Sequence, residues 1–175
     1  KIRITAKLLY TIYFCMTIVM MILLLIGKMP LFDSICMSFG AAGTGGFACR
    51  NSGQADYTVY QQGVITVFML LFGVNFNVYY LMLIRKPKDA FRCEELRGYL
   101  AIVVIAILLI TINIRSLFPS LFMAFHQAAF QVSSIITTTG YSTIDYNVWP
   151  EFSKSILLLI MFIGACAGST GGGMK

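Results

Sequence analysis

The sequence predicts an all-α membrane protein built as two tandem repeats, each a span, a re-entrant half-helix and a second span. Three observations carry this. First, 58% of the 175 residues are hydrophobic and only 11% are charged, against about a quarter charged in soluble domains, which argues against a soluble enzyme. Second, four uncharged stretches are long enough to cross a bilayer, which takes about 20 helical residues. They hold 20 residues between Lys7 and Lys28, 28 between Asp56 and Arg85, 17 between Arg97 and Arg115, and 20 between Lys154 and Lys175. Third, two other uncharged stretches, 16 residues between Asp33 and Arg50 and 29 between Arg115 and Asp145, both end in glycine and threonine.

The first long stretch, Leu8 to Ile26, has no small-residue cleavage site and exceeds the usual signal-peptide core of about 7 to 15 residues. It therefore reads as a span. The net charge of +6 is a matter of topology and does not point to nucleic acid. Lys1, Arg3 and Lys7, then Arg85, Lys86, Lys88, Arg92 and Arg97, then Lys175 make nine of the thirteen basic residues, and all nine sit where the four spans meet one side. The positive-inside rule puts that side in the cytoplasm, with spans leaving, returning, leaving and returning. The chain starts at Lys1 and stops on a glycine run behind an apolar stretch, so a fragment of a longer protein is expected. Cys15, Cys36, Cys49, Cys93 and Cys166 are scattered without a C-x-x-C pair and read as packing thiols.

The halves align residue by residue. Thr44-Gly45-Gly46-Phe47 and Thr138-Thr139-Gly140-Tyr141 share the pattern T-x-G-aromatic at an offset of 94. Each follows an apolar stretch opened by proline, Pro30 or Pro119, a residue suited to a first helical turn, with Asp33 or Ser120 to meet its open N–H groups. The 14 residue steps from Pro30 to Thr44 and the 19 from Pro119 to Thr138 reach only about 21 and 28 Å as helix. Both stretches read as re-entrant helices that stop at mid-membrane and return through irregular loops. Such backbone is tolerated at that depth only when it is buried in protein or lines water, which points to a pore.

A dehydrated monovalent cation needs oxygens in place of its water, and backbone carbonyls provide them without excess charge. Gly46 and Gly140 can take the backbone angles that turn carbonyls to an axis. The C-terminal ends of the two half-helices add partial negative charge there. A cation is therefore preferred over an anion.

Further along, Ile163-Gly164-Ala165-Cys166-Ala167-Gly168-Ser169-Thr170-Gly171-Gly172-Gly173-Met174-Lys175, together with Thr137-Thr138-Thr139-Gly140-Tyr141-Ser142-Thr143, resembles the third repeat of the Trk/Ktr/HKT superfamily of potassium transporters, in its bacterial membrane-subunit branch. Gly43-Thr44-Gly45-Gly46-Phe47 and Gly73-Val74-Asn75-Phe76 resemble the second repeat. The resemblance implies a potassium-channel-like repeat at 1–84, a basic cytoplasmic linker at 85–97 and a second repeat at 98–175. It implies a selectivity filter with Thr44, Gly45, Gly46 and Phe47 as one quarter and Thr138, Thr139, Gly140 and Tyr141 as another, K+ at their carbonyls and no organic cofactor. It further implies a gate at Gly164, Gly168, Ser169, Thr170, Gly171, Gly172 and Gly173, with Asn75 and Lys175 at the inner pore. A homodimer in the bacterial inner membrane, in contact with lipid, and a cytosolic nucleotide-binding regulatory subunit docking on the basic linker are also implied. Ala48-Cys49 departs from the Ser/Thr-rich stretch usual after the filter.

The glycines at 164–173 disfavour helix by about 1 kcal/mol each, so a broken helix is expected there. Gly164-x-x-x-Gly168 also fits a close helix-packing face. The run fails as a phosphate-binding loop because Met174 stands where the lysine belongs. Asn75 and Asn77, read as lying inside the second span, should face protein or water. His126 and Gln127 should be satisfied by neighbouring backbone. Other readings are a non-selective or Na+-linked transporter of the same architecture, an intramembrane enzyme, and a structural subunit. The enzyme reading has His126 as its only membrane-embedded titratable candidate apart from cysteine and tyrosine.

Overall fold

The computed structural model describes residues 2–174 and is helical. In chain order the helices are α1 (Ile2–Ile26), α2 (Leu31–Ala42), α3 (Val59–Phe72), α4 (Phe76–Leu83), α5 (Pro87–Phe91), α6 (Glu94–Ile114), α7 (Leu121–Ile136) and α8 (Glu151–Ile163). By length and composition α1 and α6 can each cross a membrane, and α3 with α4 makes a third crossing only as a pair bent by 87°. On α1 only Thr17, Met20 and Leu24 are buried, so most of its apolar surface faces outward, as a lipid-exposed helix requires.

Two interlocking cores hold the helices. One gathers Met20, Leu24, Met37, Ile65, Met69 and Phe72, and takes in Phe130 and Tyr141 from the second half of the chain. The other packs Val103, Ile107 and Ile110 of α6 against Ala124, Ala128 and Val132 of α7 and Leu157 and Ile160 of α8. Ala124 and Ala128 stand one turn apart, and small residues at that spacing let helix backbones approach closely.

Local chemistry sets the helix ends. Thr58 caps α3 in a reciprocal capping box with Gln61, and the Gln61 amide also donates to Gly27 O at 2.8 Å, closing the end of α1. Ser120 caps α7 by accepting from Met123 N.

Two of the four expected spans differ from the sequence reading. The second is not one continuous helix: it breaks at Gly73-Val74-Asn75, and Asn75, expected inside the span, caps α4 by accepting from Asn77 N. The fourth is helical for 13 residues only, because Gly164 takes φ 71° and ends the ladder at Ile163. Left-handed backbone is open to glycine without penalty. The expectation of a broken helix at the glycine run therefore agrees with the structure, whereas the break at 73–75 was not foreseen.

Candidate functional site

The half-helices α2 and α7 end alike. Both end at the 94-residue offset, at Ala42 and Ile136, and their C-cap residues Gly43 and Thr137 have nearly the same angles, φ −89°, ψ 1° and φ −86°, ψ 0°. The closing hydrogen bonds repeat one for one. Gly43 N, Thr44 N and Gly45 N donate to Phe39 O, Ala41 O and Gly40 O; Thr137 N, Thr138 N and Thr139 N donate to Ser133 O, Ile135 O and Ser134 O. After them the backbone turns left-handed twice in each loop, at Thr44 (φ 51°) and Gly46 (φ 73°), and at Thr138 (φ 57°) and Gly140 (φ 87°). Left-handed threonine is uncommon and costs of order 1 kcal/mol or more. Its occurrence at matched positions shows that the surroundings impose the same backbone path on both loops.

The loops are wedged together. A Cβ on Gly46 would collide with the Thr139 carbonyl, whereas a Cβ on Gly140 would meet nothing within 4 Å. The Tyr141 hydroxyl occupies the space that a Cβ on Gly40 would need. Ser134 Oγ donates to Tyr141 O, so the position matching Gly40 carries a hydrogen bond in the other repeat. Of the two aromatics, Tyr141 is 1% exposed and Phe47 is 85% exposed. Thr139 is buried, and its hydroxyl pairs with that of Thr137 at 2.9 Å.

The glycine-rich segment after α8 lies against both loops and the broken span. Thr44 Oγ1 donates to Thr170 O at 3.3 Å, and Gly172 N donates to Thr138 Oγ1 at 2.7 Å. Gly171 packs against Thr137 and Ala165 too tightly for any side chain. Ser169 Oγ donates to Cys166 O at 2.6 Å. The segment also helps to close the end of α3, where donors from other elements add to the bonds that Gly73 N and Val74 N make to its last carbonyls. Tyr99 OH donates to Leu70 O, Tyr79 OH to Leu71 O, Thr170 Oγ1 to Phe72 O, and Cys166 N to Gly73 O. On the other side of the break Phe76 N donates to Gly168 O at 3.1 Å. The threonines of the two loops, the glycine run and the broken span thus form one hydrogen-bonded unit. Lys175, expected at the inner pore, lies outside the described residues.

Three features were not anticipated from sequence. Glu95, at the start of α6, accepts from Asn75 Nδ2 at 2.8 Å and from Ala167 N. His126 Nε2 and Gln62 Oε1 pair at 2.9 Å between α7 and α3, where a neighbouring backbone partner was expected. At the start of α2, Arg50 Nε donates to Asp33 Oδ2 at 3.1 Å, Tyr57 OH donates to the same oxygen at 3.3 Å, and the guanidinium lies 5.2 Å from the centre of the Tyr57 ring. That group fastens the loop behind Phe47 to the start of α2. Burial, and then the Asp33 carboxylate, push the Tyr57 phenol up to about 12. Among the described residues no group of three or more His, Cys, Asp or Glu could hold a metal ion.

Residues 100–175 match the family model for TrkH, described as a cation transport protein. The Trk system potassium uptake protein TrkH of Vibrio parahaemolyticus is 36% identical across the whole of this chain, which covers 37% of that relative. The Trk system potassium uptake protein TrkG of Escherichia coli is 32% identical across 98% of this chain, covering 36% of that relative. The crystal structure of the potassium transporter TrkH from Vibrio parahaemolyticus matches with a TM-score of 0.93 at 34% identity, over 99% of this chain and 38% of that one. The chain therefore spans a little over a third of the length of these relatives. With its paired half-helices, broken span and glycine-rich segment matched from end to end in sequence and in three dimensions, the chain is similar throughout to part of the TrkH proteins, and its residues 100–175 match the TrkH family.

Proposed function

We propose that this chain supplies two quarters of a potassium-selective uptake pore and is not an enzyme. Residues 1–84 and 98–175 act as successive repeats joined by the basic linker at 85–97. The observation that supports this best is the recurrence, at one offset, of half-helix, left-handed threonine, left-handed glycine and aromatic. In this reading Thr44, Gly45, Gly46 and Phe47, with Thr138, Thr139, Gly140 and Tyr141, present backbone carbonyls to K+. The carbonyl ends of α2 and α7 add partial negative charge and favour a cation. The run Gly164, Gly168, Ser169, Thr170, Gly171, Gly172 and Gly173 lies under the filter as the gate, and Asn75 lies at the inner pore with Lys175.

The names of the relatives, Trk system potassium uptake proteins, support K+ as cargo. The bacterial inner membrane is the proposed site, with a homodimer as assembly and a cytosolic nucleotide-binding subunit docking on the basic linker.

The test is potassium-limited growth and rubidium uptake by the full-length protein in bacteria lacking their own potassium importers, with Gly140→Ser as the variant. A Cβ at Gly140 enters open space, so the variant is expected to fold, to reach the membrane and to lose uptake or admit sodium. Unchanged uptake and selectivity in that variant, at unchanged protein level, would overturn the filter assignment.

A further inference from the structure

The gate reading leaves Glu95 without a role, although this one carboxylate reaches two separate elements. It stands in the first turn of α6, beside the partial positive charge of the helix end. One oxygen accepts from the Asn75 side chain at 2.8 Å, and the other accepts from the Ala167 backbone N–H. Asn75 is the residue on which the broken span restarts. Its own Oδ1 is taken by Asn77 N at 2.9 Å, and its side chain fills the space that a Cβ on Gly168 would need. Ala167 is an exposed residue of the glycine-rich segment, so its N–H is held by the carboxylate and not by packing. From Ala167 the segment runs through Gly168 O, held by Phe76 N, to Thr170 and Gly172, which meet the two filter threonines.

We propose that Glu95 is a latch, a positioning residue that holds the glycine-rich segment against the break in the α3/α4 span and under the filter, and that releasing it opens the inner path. The energetics suit a switch. A charge-assisted hydrogen bond is roughly twice as strong as a neutral one, yet Ala167 is exposed and Glu95 only half-buried, so water can replace the carboxylate once it is released. The segment is glycine-rich, and its exposed turn at Ala167 and Gly168 lies between the buried Ala165-Cys166 and the buried Gly171. The backbone of the two loops keeps its own helix-end hydrogen bonds when the Glu95 contacts are lost. The prediction is thus a change of flux without a change of ion selectivity, which separates a latch from a residue that merely supports the fold.

The inference rests on the transport reading, so its test carries one readout that does not. In the full-length protein, with native cysteines replaced by serine, Ala167→Cys is labelled from the cytoplasmic side with a membrane-impermeant maleimide, with Glu95 intact and as Glu95→Ala. Rubidium flux and the potassium-to-sodium ratio are measured on Glu95→Ala and Glu95→Gln. Loss of a charge-assisted hydrogen bond should speed labelling on the order of tenfold and raise flux with the ion ratio unchanged. Glu95→Gln keeps a carbonyl oxygen for the Ala167 N–H and should fall between wild type and Glu95→Ala, which guards against a folding defect in the alanine variant. Labelling that does not change with Glu95→Ala overturns the latch. Faster labelling with flux equal to or below wild type overturns its role in closing the path. A wild type that carries no rubidium contradicts the transport reading instead, and the labelling rate still decides the latch.

Discussion

At the scale of single residues Gly46 and Gly140 differ in a way their shared motif conceals. Both are left-handed, but only Gly46 has a neighbour, the Thr139 carbonyl, in the place of a Cβ. Gly46→Ala must therefore push the two loops apart, and we expect it to cost several kcal/mol, as overpacking with left-handed strain does, and to lower the thermal midpoint in detergent. Gly140→Ala should carry only the backbone term of about 1 kcal/mol and alter permeation while the protein stays folded. Equal losses of stability in the two variants would contradict this placement. Thr138 is a second discriminating residue, because its hydroxyl accepts the Gly172 N–H at 2.7 Å. Thr138→Val keeps the shape and removes the acceptor, so flux should rise if the glycine run closes the path, and a fall would count against that. The T-x-G-aromatic motif and the choice of glycine were legible from residue type alone. The wedge between the loops was not, since it depends on which backbone atom of one repeat faces which glycine of the other.

At the scale of elements the structure turns on the ends of helices. The half-helices were legible because proline opens them and Gly or Thr closes them, and the reach of the intervening residues falls short of a bilayer. The break at Gly73-Val74-Asn75 was hidden by an apolar stretch that reads as a continuous span by hydropathy. The signal was present, in a glycine two residues before an asparagine fit to cap a new helix, but its meaning depends on donors distant in sequence. Tyr79, Tyr99, Cys166 and Thr170 supply them to the four carbonyls from Leu70 to Gly73. Two further predictions belong here. His126→Leu leaves Gln62 Oε1 without its His126 partner, and should cost about 1 to 3 kcal/mol, read as a lower thermal midpoint, with little effect on ion selectivity. The fastening of Asp33, Arg50 and Tyr57 should weaken in alkali. The folded phenol titrates near 12, above the ordinary value of 10.0, so its contribution is whole below about pH 10 and is lost as pH rises through about 12. Tyrosinate absorbance followed against pH checks this, and Tyr57→Phe should remove the equivalent of one tyrosine from the part of the curve near pH 12.

At the scale of the whole molecule the chain holds two matched loops that meet edge to edge, with Tyr141 buried between them and Phe47 bare at 85% exposure. The relatives are more than twice as long as this chain, and we expect the chain expressed by itself to support no selective rubidium uptake, where the full-length protein does. The all-helical membrane fold and its repeat were legible because they rest on charge spacing and on a repeated offset. The linkage of filter, glycine run and broken span was not, because it is made of hydrogen bonds between residues up to 126 positions apart. The central claim is that the Gly46 and Gly140 loops coordinate the transported ion through backbone carbonyls. The most direct measurement is anomalous diffraction from crystals of the full-length protein grown in rubidium or thallium. We expect a peak on the axis between the two loops, facing the carbonyls of Thr44 to Gly46 and Thr138 to Gly140, and its loss in Gly140→Ser. Rubidium bound elsewhere in the pore, with no density between these loops, would contradict the claim.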